Sequence, residues 1–349
     1  MMRVVDMHCD TIARLLADKR AGKESSLYQN DGHVDLTKMK QSGYMLQNFA
    51  LFVKLADAKD PWEEVQKLRN VYEEELAKNR EILAPVYTYE DIEKNAKNGK
   101  MSAMLTVEEG GVCKGDIEKL EELYRQGVRM MTLSWNYPNG LCHPNLDADS
   151  GSRIHGKMKG LEPKAADELL QEYLNTPDTE NGLTDKGMEF VGRMQEMGMI
   201  VDVSHMSDAG FFDVVRLAKK PFVASHSNAR AVCPCVRNLT DEMIRALALK
   251  GGVSGLNFCA DFLTPCQAGV PNPGTIEAIV RHAAHMVRIG GEECVGLGSD
   301  FDGIDTHAEL PGAHTMSRLW EALKKGGFTE RQLDKIFTDN VLRVYRETL

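Results

Sequence analysis

At 349 residues the chain can hold one large domain or two ordinary ones, and with 42% hydrophobic and 27% charged residues its composition suits a folded core rather than a disordered chain. A formal net charge of −10 argues against nucleic acid or an anionic membrane surface as partner, since both are bound through Lys and Arg clusters, and leaves a small molecule as the expected ligand. The opening residues meet Asp6 and His8 before any apolar stretch of signal-peptide length, no run approaches a membrane span, and the eight cysteines show no redox or zinc-ribbon spacing, so a cytoplasmic protein with reduced thiols is expected.

The first apolar run, Val4–Met7, leads into His8-Cys9-Asp10; alternation along an extended segment puts His8 and Asp10 on one side. A second His-x-Asp, His33-Val34-Asp35, follows Asn30-Asp31-Gly32 with no strand before it and reads as a decoy. Met45–Val53 is the next strand, and Asp60-Pro61 opens a helix bearing Trp62, Val65, Leu68, Tyr72 and Leu76. Ala103–Val107 ends in Glu108-Glu109-Gly110-Gly111. Asp116 caps a helix that Gly127 ends just before the strand Val128–Leu133.

Residues 134–163, rich in Asn, Pro and Gly, read as a long loop. Thr184 and Gly198 bracket a helix with Met188, Val191 and Met194 on one face, and the strand Met199–Val203 reaches Ser204-His205. Phe222–Ala224 reaches Ser225-His226. A helix from Thr240 to Gly251-Gly252 precedes the strand Gly252–Phe258 and a second long loop, 259–274. His282 and His285 share a helix face, and Cys294–Gly298 reaches Ser299-Asp300-Phe301-Asp302-Gly303. The end, from about Thr315, reads as two closing helices.

Eight near-continuous apolar strands alternating with amphipathic helices are the pattern of a parallel sheet, and without a Gly-rich phosphate turn they fit a closed (β/α)8 TIM barrel over residues 1–349 better than a doubly wound sheet. Barrel active sites are built from the C-terminal strand ends, so separate strands deliver His8, Asp10, His205, His226 and Asp300 to one rim. One His at a strand end is ordinarily a hydrogen-bonded core or loop residue; the coincidence of several points to metal. Three His, one or two Asp and a Glu exceed the ligands of a mononuclear zinc site and suit two divalent ions sharing a carboxylate, with zinc favoured by ligand type and manganese, cobalt or iron compatible.

At these residues the chain resembles the membrane dipeptidase (renal dipeptidase) family of zinc peptidases in the amidohydrolase superfamily. The likeness spans nearly the whole length and rests on His8-Cys9-Asp10, Val107-Glu108-Glu109-Gly110-Gly111, Asp202-Val203-Ser204-His205, Ser225-His226-Ser227-Asn228, Arg237-Asn238 and the stretch Gly298 to Gly303. It implies two zinc ions, one on His8 and Asp10, the other on His205 and His226, bridged by Glu108, which directly follows Val107; the adjacent Glu109 is the alternative bridge. It implies that Asp300 contacts the bridging water as catalytic acid and base, that Arg237 receives the terminal carboxylate of a dipeptide, and that the protein is a homodimer. Where relatives carry a substrate-binding His after the fourth strand this chain has Trp135-Asn136, so any oxyanion role falls on Trp135, Asn136 or the metal. The expected chemistry is attack of a metal-bridging hydroxide on the peptide bond of dipeptides, including those with a C-terminal D-residue. Rival readings are another binuclear hydrolase acting on a lactone, cyclic amide or phosphoester, and a barrel that binds metal without catalysis; the strand-end Asp300 and the absence of a strand-end Lys disfavour them.

Overall fold

The computed structural model describes residues 2–349. Its strands are β1 (Val4–Asp6), β2 (Tyr44–Phe52), β3 (Leu83–Pro85), β4 (Met101–Glu108), β5 (Val128–Thr132), β6 (Ile200–Asp202), β7 (Val223–Ala224), β8 (Val253–Leu256) and β9 (Val295–Leu297). They run in the order β2-β1-β9-β8-β7-β6-β5-β4, and β2 pairs with β4 from Leu46↔Ser102 to Phe52↔Glu108, closing eight parallel strands into the expected α/β barrel. All eight expected strands are present. The ninth, β3, was not anticipated: it has three residues, ends in Pro85, and pairs only with the start of β4, Leu83 opposite Met101. So short a segment has no periodicity to read.

The helices begin where side chains satisfy their first free N–H groups. Asp60 accepts from Trp62 N at 3.0 Å at the head of Pro61–Lys78, and Asp116 from Glu118 N at 2.9 Å at the head of Ile117–Arg125. Thr184 accepts from Gly187 N at 3.1 Å, and Gly198, at φ +80°, ends Asp185–Met197 in the left-handed conformation that glycine adopts without strain. On that helix Phe190, Val191 and Met194, with Gly187, are the buried face, while Met188 is 40% exposed because it is rotated round the helix off the stripe that meets the barrel. Residues 134–163 are not all loop, because Asp147 accepts from Ser150 N at 2.8 Å and starts the helix Ala148–Met158, which Gly151 and Gly156 conceal in the sequence. A second helix, Pro163–Asn175, follows directly, and the stretch 259–274 contains one short turn, Ala260–Leu263.

Alternation along the strands divides the core. Ala103, Leu105 and Val107 of β4, with Val201 of β6 and Leu297 of β9, pack outward against the helices. Val5, Met7, Met104, Met130, Ile200, Val223 and Val253 turn inward and meet Val341, Val344 and Tyr345 of the last helix, Asn340–Thr348, which plugs the barrel floor. Asn48 donates to the Tyr345 hydroxyl at 2.8 Å, satisfying a polar group that the plug brings inside. The floor is thus filled by side chains, and only the opposite, C-terminal end is available for polar chemistry.

Two glycine positions make opposite predictions. A Cβ on Gly255 of β8 would lie 2.0 Å from the Ser225 carbonyl oxygen, so Gly255→Ala should destabilise by about 2–3 kcal/mol. Gly192, on the exposed side of its helix, has nothing within 4 Å of such a Cβ, so Gly192→Ala should stabilise by about 0.5–1 kcal/mol; denaturant unfolding midpoints of both variants provide the check.

Candidate metal centre

Five strand ends converge on one buried cluster. His8 and Asp10 follow β1, Glu108 ends β4, His205 follows β6, His226 follows β7 and Asp300 follows β9, and all six are at most 8% exposed. Glu108 lies between the histidines. Its Oε2 is 3.3 Å from His8 Nε2, and its Oε1 is 3.1 Å from His205 Nε2 and 3.6 Å from His226 Nε2. His8 Nε2 also faces Asp10 Oδ2 at 3.4 Å and Asp300 Oδ1 at 3.9 Å. The sequence-predicted residues His8, Asp10, Glu108, His205, His226 and Asp300 are therefore all brought together.

The far nitrogens fix the rings. Ser225 Oγ donates to Asp202 Oδ2 at 2.6 Å, so at 2.7 Å from His226 Nδ1 it accepts the ring N–H. His205 Nδ1 likewise donates to Asn136 Oδ1 at 2.8 Å. Both Nε2 lone pairs consequently point at the centre, 2.9 Å apart, an arrangement that favours a cation beside them. Burial, with Arg237 and His8 nearby, pushes both imidazoles well below their ordinary pKa, which keeps them neutral. At His8 burial acts in the same direction, but the Glu108 and Asp10 carboxylates outweigh it and hold the pKa well above the usual value. Burial raises Glu108 to about 7 and also lifts Asp300.

The donor set fits divalent metal. His8 Nε2 and Nδ1 and Asp10 Oδ1 are buried without a hydrogen-bond partner, a costly state that a bound ion relieves at the atoms facing the centre. Gly303 leaves room for it, since a Cβ there would stand 2.1 Å from Asp10 Oδ2 and 2.7 Å from Asp300 Oδ1. Four non-glycine residues of this rim, Glu109, His205, Asp300 and Asp302, hold positive φ between 62° and 91°, strain that aims side chains where an unstrained chain would not.

Glu108 and Glu109 have separate roles. Glu109 turns away from the histidines to accept from Gly111 N at 2.7 Å, Trp135 N at 3.0 Å and Asn139 Nδ2. It supports the chain that carries Trp135 and Asn136. Trp135 stands beside His205, ring centroids 6.0 Å apart, between Phe52 and Tyr137. Arg237, buried after β7, donates to Ser227 Oγ and to the His226 carbonyl at 3.3 Å each, lies over the Phe262 ring, and keeps a buried Nε without a partner.

His33 stays outside the cluster. Its backbone N–H donates to Asp302 Oδ1 at 2.7 Å, and Asp35 caps Leu36–Gln41, so the decoy anchors a loop. His282 and His285 share the helix Ile276–Gly290: His282 accepts from Ala229 N at 3.0 Å, and His285 pairs with Asp241 at 2.6 Å.

Sequence reasoning missed the supporting layer. Asp6 accepts from Ser299 N and Oγ at 2.9 and 2.6 Å, and Asp202 accepts from Ser225 N and Oγ at 2.8 and 2.6 Å, so the same cross-strand Asp–Ser pair precedes Asp300 and His226. Asn257 donates to Asp300 Oδ2 at 2.9 Å. The signal available for them was an Asp two residues before His8 and another three residues before His205, each within an apolar strand.

An α/β barrel that gathers histidines and carboxylates in this way at its C-terminal mouth is a metal-dependent hydrolase. The family model described as membrane dipeptidase (peptidase family M19) matches residues 1–164 and 148–349. A protein of Klebsiella pneumoniae, described as an uncharacterised protein in the pqqA 5' region, is 34% identical over 256 residues, 73% of this chain and 85% of its own length. The crystal structure of dipeptidase AC, a metallopeptidase of the same family, superimposes with a TM-score of 0.84 at 25% identity, covering 99% of this chain and 98% of that one. A metallopeptidase from Rhodobacter sphaeroides, solved with a phosphinate mimic of the dipeptide L-Ala-D-Ala, gives 0.83 at 25% identity over 100% and 99%. The chain belongs to the membrane dipeptidase family and is a metallo-dipeptidase, which sets aside the lactonase-type and non-catalytic readings. No helix among the described residues is long and apolar enough to cross a membrane.

Burial raises the Glu109 carboxyl to about 7, so the folded state binds its proton more tightly than the unfolded chain does. That contribution is fully present below about pH 4.5 and is lost as pH rises through about 7, amounting to about 3 kcal/mol at most. Unfolding of metal-free protein between pH 5 and 8 should show stability falling with pH, and Glu109→Gln should flatten part of the decline.

Proposed function

We propose that this metallo-dipeptidase carries two zinc ions, one held by His8 and Asp10, the other by His205 and His226, with Glu108 as the bridge. The observation that carries the reading is that Glu108 offers one carboxylate oxygen to His8 and the other to His205 and His226. When bound, such an ion pair lowers the pKa of a shared water toward about 7 and polarises the carbonyl to be attacked.

The chain's own groups complete the reaction. Asp300, steadied by Asn257 and raised by burial, takes a proton from the attacking water and gives it to the departing amine as the peptide C–N bond breaks. Arg237 binds the substrate's free carboxylate as a fork, its unpartnered Nε supporting that role, and longer peptides have no carboxylate at this distance. Trp135 walls the site beside His205. Asn136 orients the His205 ring, so positioning a ligand is its first role, ahead of contact with substrate. The mimic held by the Rhodobacter sphaeroides relative supports including dipeptides with a C-terminal D-residue. Eight free cysteines, six of them buried, suit a reducing cytoplasm.

Protein stripped of metal and reloaded with zinc should bind two ions per chain and hydrolyse members of a panel of L,L- and L,D-dipeptides; inactivity across the whole panel would overturn the reading. Glu108→Gln should lose bound metal by elemental analysis while Glu109→Gln keeps it. Asp300→Asn should lower kcat by about 10²–10⁴-fold, as expected for loss of a proton-transfer group.

A further inference from the structure

We propose that Arg230, paired with Asp208, is the positioning residue that aims Arg237 at the substrate carboxylate, and so sets the affinity of the site for dipeptides. This rests on the reading of Arg237 given above.

Arg237 sits on a loop whose base is closed by backbone pairing: Arg230 N donates to the Leu239 carbonyl at 2.8 Å, and Leu239 N to the Asn228 carbonyl at 2.9 Å. The carbonyls on either side of Arg237 are held by the same guanidinium. Arg230 Nε donates to the Asn238 carbonyl at 2.8 Å and Nη2 to the Val236 carbonyl at 3.1 Å. The other edge of the fork grips Asp208, Nη1 to Oδ2 and Nη2 to Oδ1, both at 2.7 Å. The side chains of Arg230 and Asp208 are only 15% and 10% exposed, so the pair is little screened by solvent. Asn145 adds a third tie, donating to the Val236 carbonyl at 2.9 Å and to Asp208 Oδ1 at 2.8 Å, while its backbone N–H donates to the His205 carbonyl at 3.0 Å.

These contacts carry a consequence for binding. With both neighbouring carbonyls held, the backbone around residue 237 is restrained, and from that base the contacts with Ser227 Oγ, the His226 carbonyl and the Phe262 ring aim the guanidinium in one direction. Asp208 opens the helix Asp208–Leu217 just past His205, so the carboxylate receiver is referenced to the same strand end as a candidate metal ligand. A planar fork is needed to hold a carboxylate and two carbonyls at once; a lysine ammonium, a point donor on a flexible stem, cannot reproduce it. Arg230 itself makes no contact with the histidine and carboxylate cluster.

The test uses full-length, zinc-loaded protein, a good dipeptide substrate and the C-terminal amide of the same dipeptide, which lacks the carboxylate. Arg230→Lys should raise KM for the dipeptide about tenfold or more, since sub-ångström placement is at stake, with kcat within about threefold, metal content unchanged and the slow amide reaction no worse. Because removing one partner strands a buried charge, the double variant Arg230→Met/Asp208→Asn keeps the pair neutral, and it should show the same KM effect. An unchanged KM in either variant overturns the proposal. So does a parallel fall in kcat, metal content and amide turnover, which would mark Arg230 as merely structural. If the wild-type enzyme hydrolyses dipeptide and amide equally well, the reading of Arg237 itself fails and takes this proposal with it, a result visible before any variant is made.

Discussion

A single carboxylate, Glu108, stands between imidazoles from three other strands, and the rest of the molecule is arranged so that it can. Its two oxygens face His8 on one side and His205 and His226 on the other, all deeply buried. The neutral His205 and His226 turn their lone pairs toward the Glu108 carboxylate, an unfavourable arrangement that a bound cation relieves, so the cluster favours metal. A closed barrel is suited to meeting it. Eight parallel strands point their C-terminal ends at one mouth, while the floor is filled by apolar side chains and Tyr345 of the last helix.

The geometry is held by groups that never reach the centre. Asp6 and Asp202 each grip a serine on the neighbouring strand by backbone and hydroxyl, and the residue after that serine is Asp300 in one case and His226 in the other. Through Ser225 the Asp202 carboxylate also selects the His226 tautomer with Nε2 free. Glu109, although next to Glu108, does a different job, tying the segment of Trp135 and Asn136 to the end of β4. Neighbouring carboxylates diverge here because positive φ at Glu109 turns its side chain out of the cluster. The same conformation recurs at His205, Asp300 and Asp302, where strain in the chain is offset by the contacts it permits.

The loops around Arg237, the proposed carboxylate receiver, are tied down with comparable care. Arg237 leans on Phe262 and on the carbonyl of His226, and its flanking carbonyls are gripped by Arg230 and Asn145. The segment after β5 is partly helical, Ala148–Met158, and Asn145 within it reaches both Asp208 and the carbonyl of His205. The loop that carries Arg237, the proposed carboxylate receiver, is thus braced against the strand ends that carry the histidine cluster, which would suit a small charged substrate held at a fixed distance from that cluster.

The eight barrel strands, the caps at Asp60, Asp116, Thr184 and Thr240, and the set of strand-end His and acidic residues were legible in the sequence, because each depends on local chemistry: apolar runs, side chains that satisfy a helix's first N–H groups, and residues placed just past a strand. Met188, β3 and the helix at 148–158 were not, since which face is buried and whether a short or glycine-bearing segment orders depend on what packs against it. Position after Val107 favoured Glu108 over Glu109 in the sequence; that Glu109 faces away from the histidines follows from its backbone dihedral and from three donors, Gly111, Trp135 and Asn139, that come together only in the fold. The opposite holds for His33-Val34-Asp35, whose lack of a preceding strand was already visible, although its anchoring to Asp302 was not. What the sequence determined by itself was the inventory of candidate metal-binding groups and their delivery to one rim, because strand order and alternation are one-dimensional properties. Which of those groups face one another, and what fixes their rings and tautomers, only the tertiary structure decided, because those contacts join residues as far apart as Asp6 and Ser299.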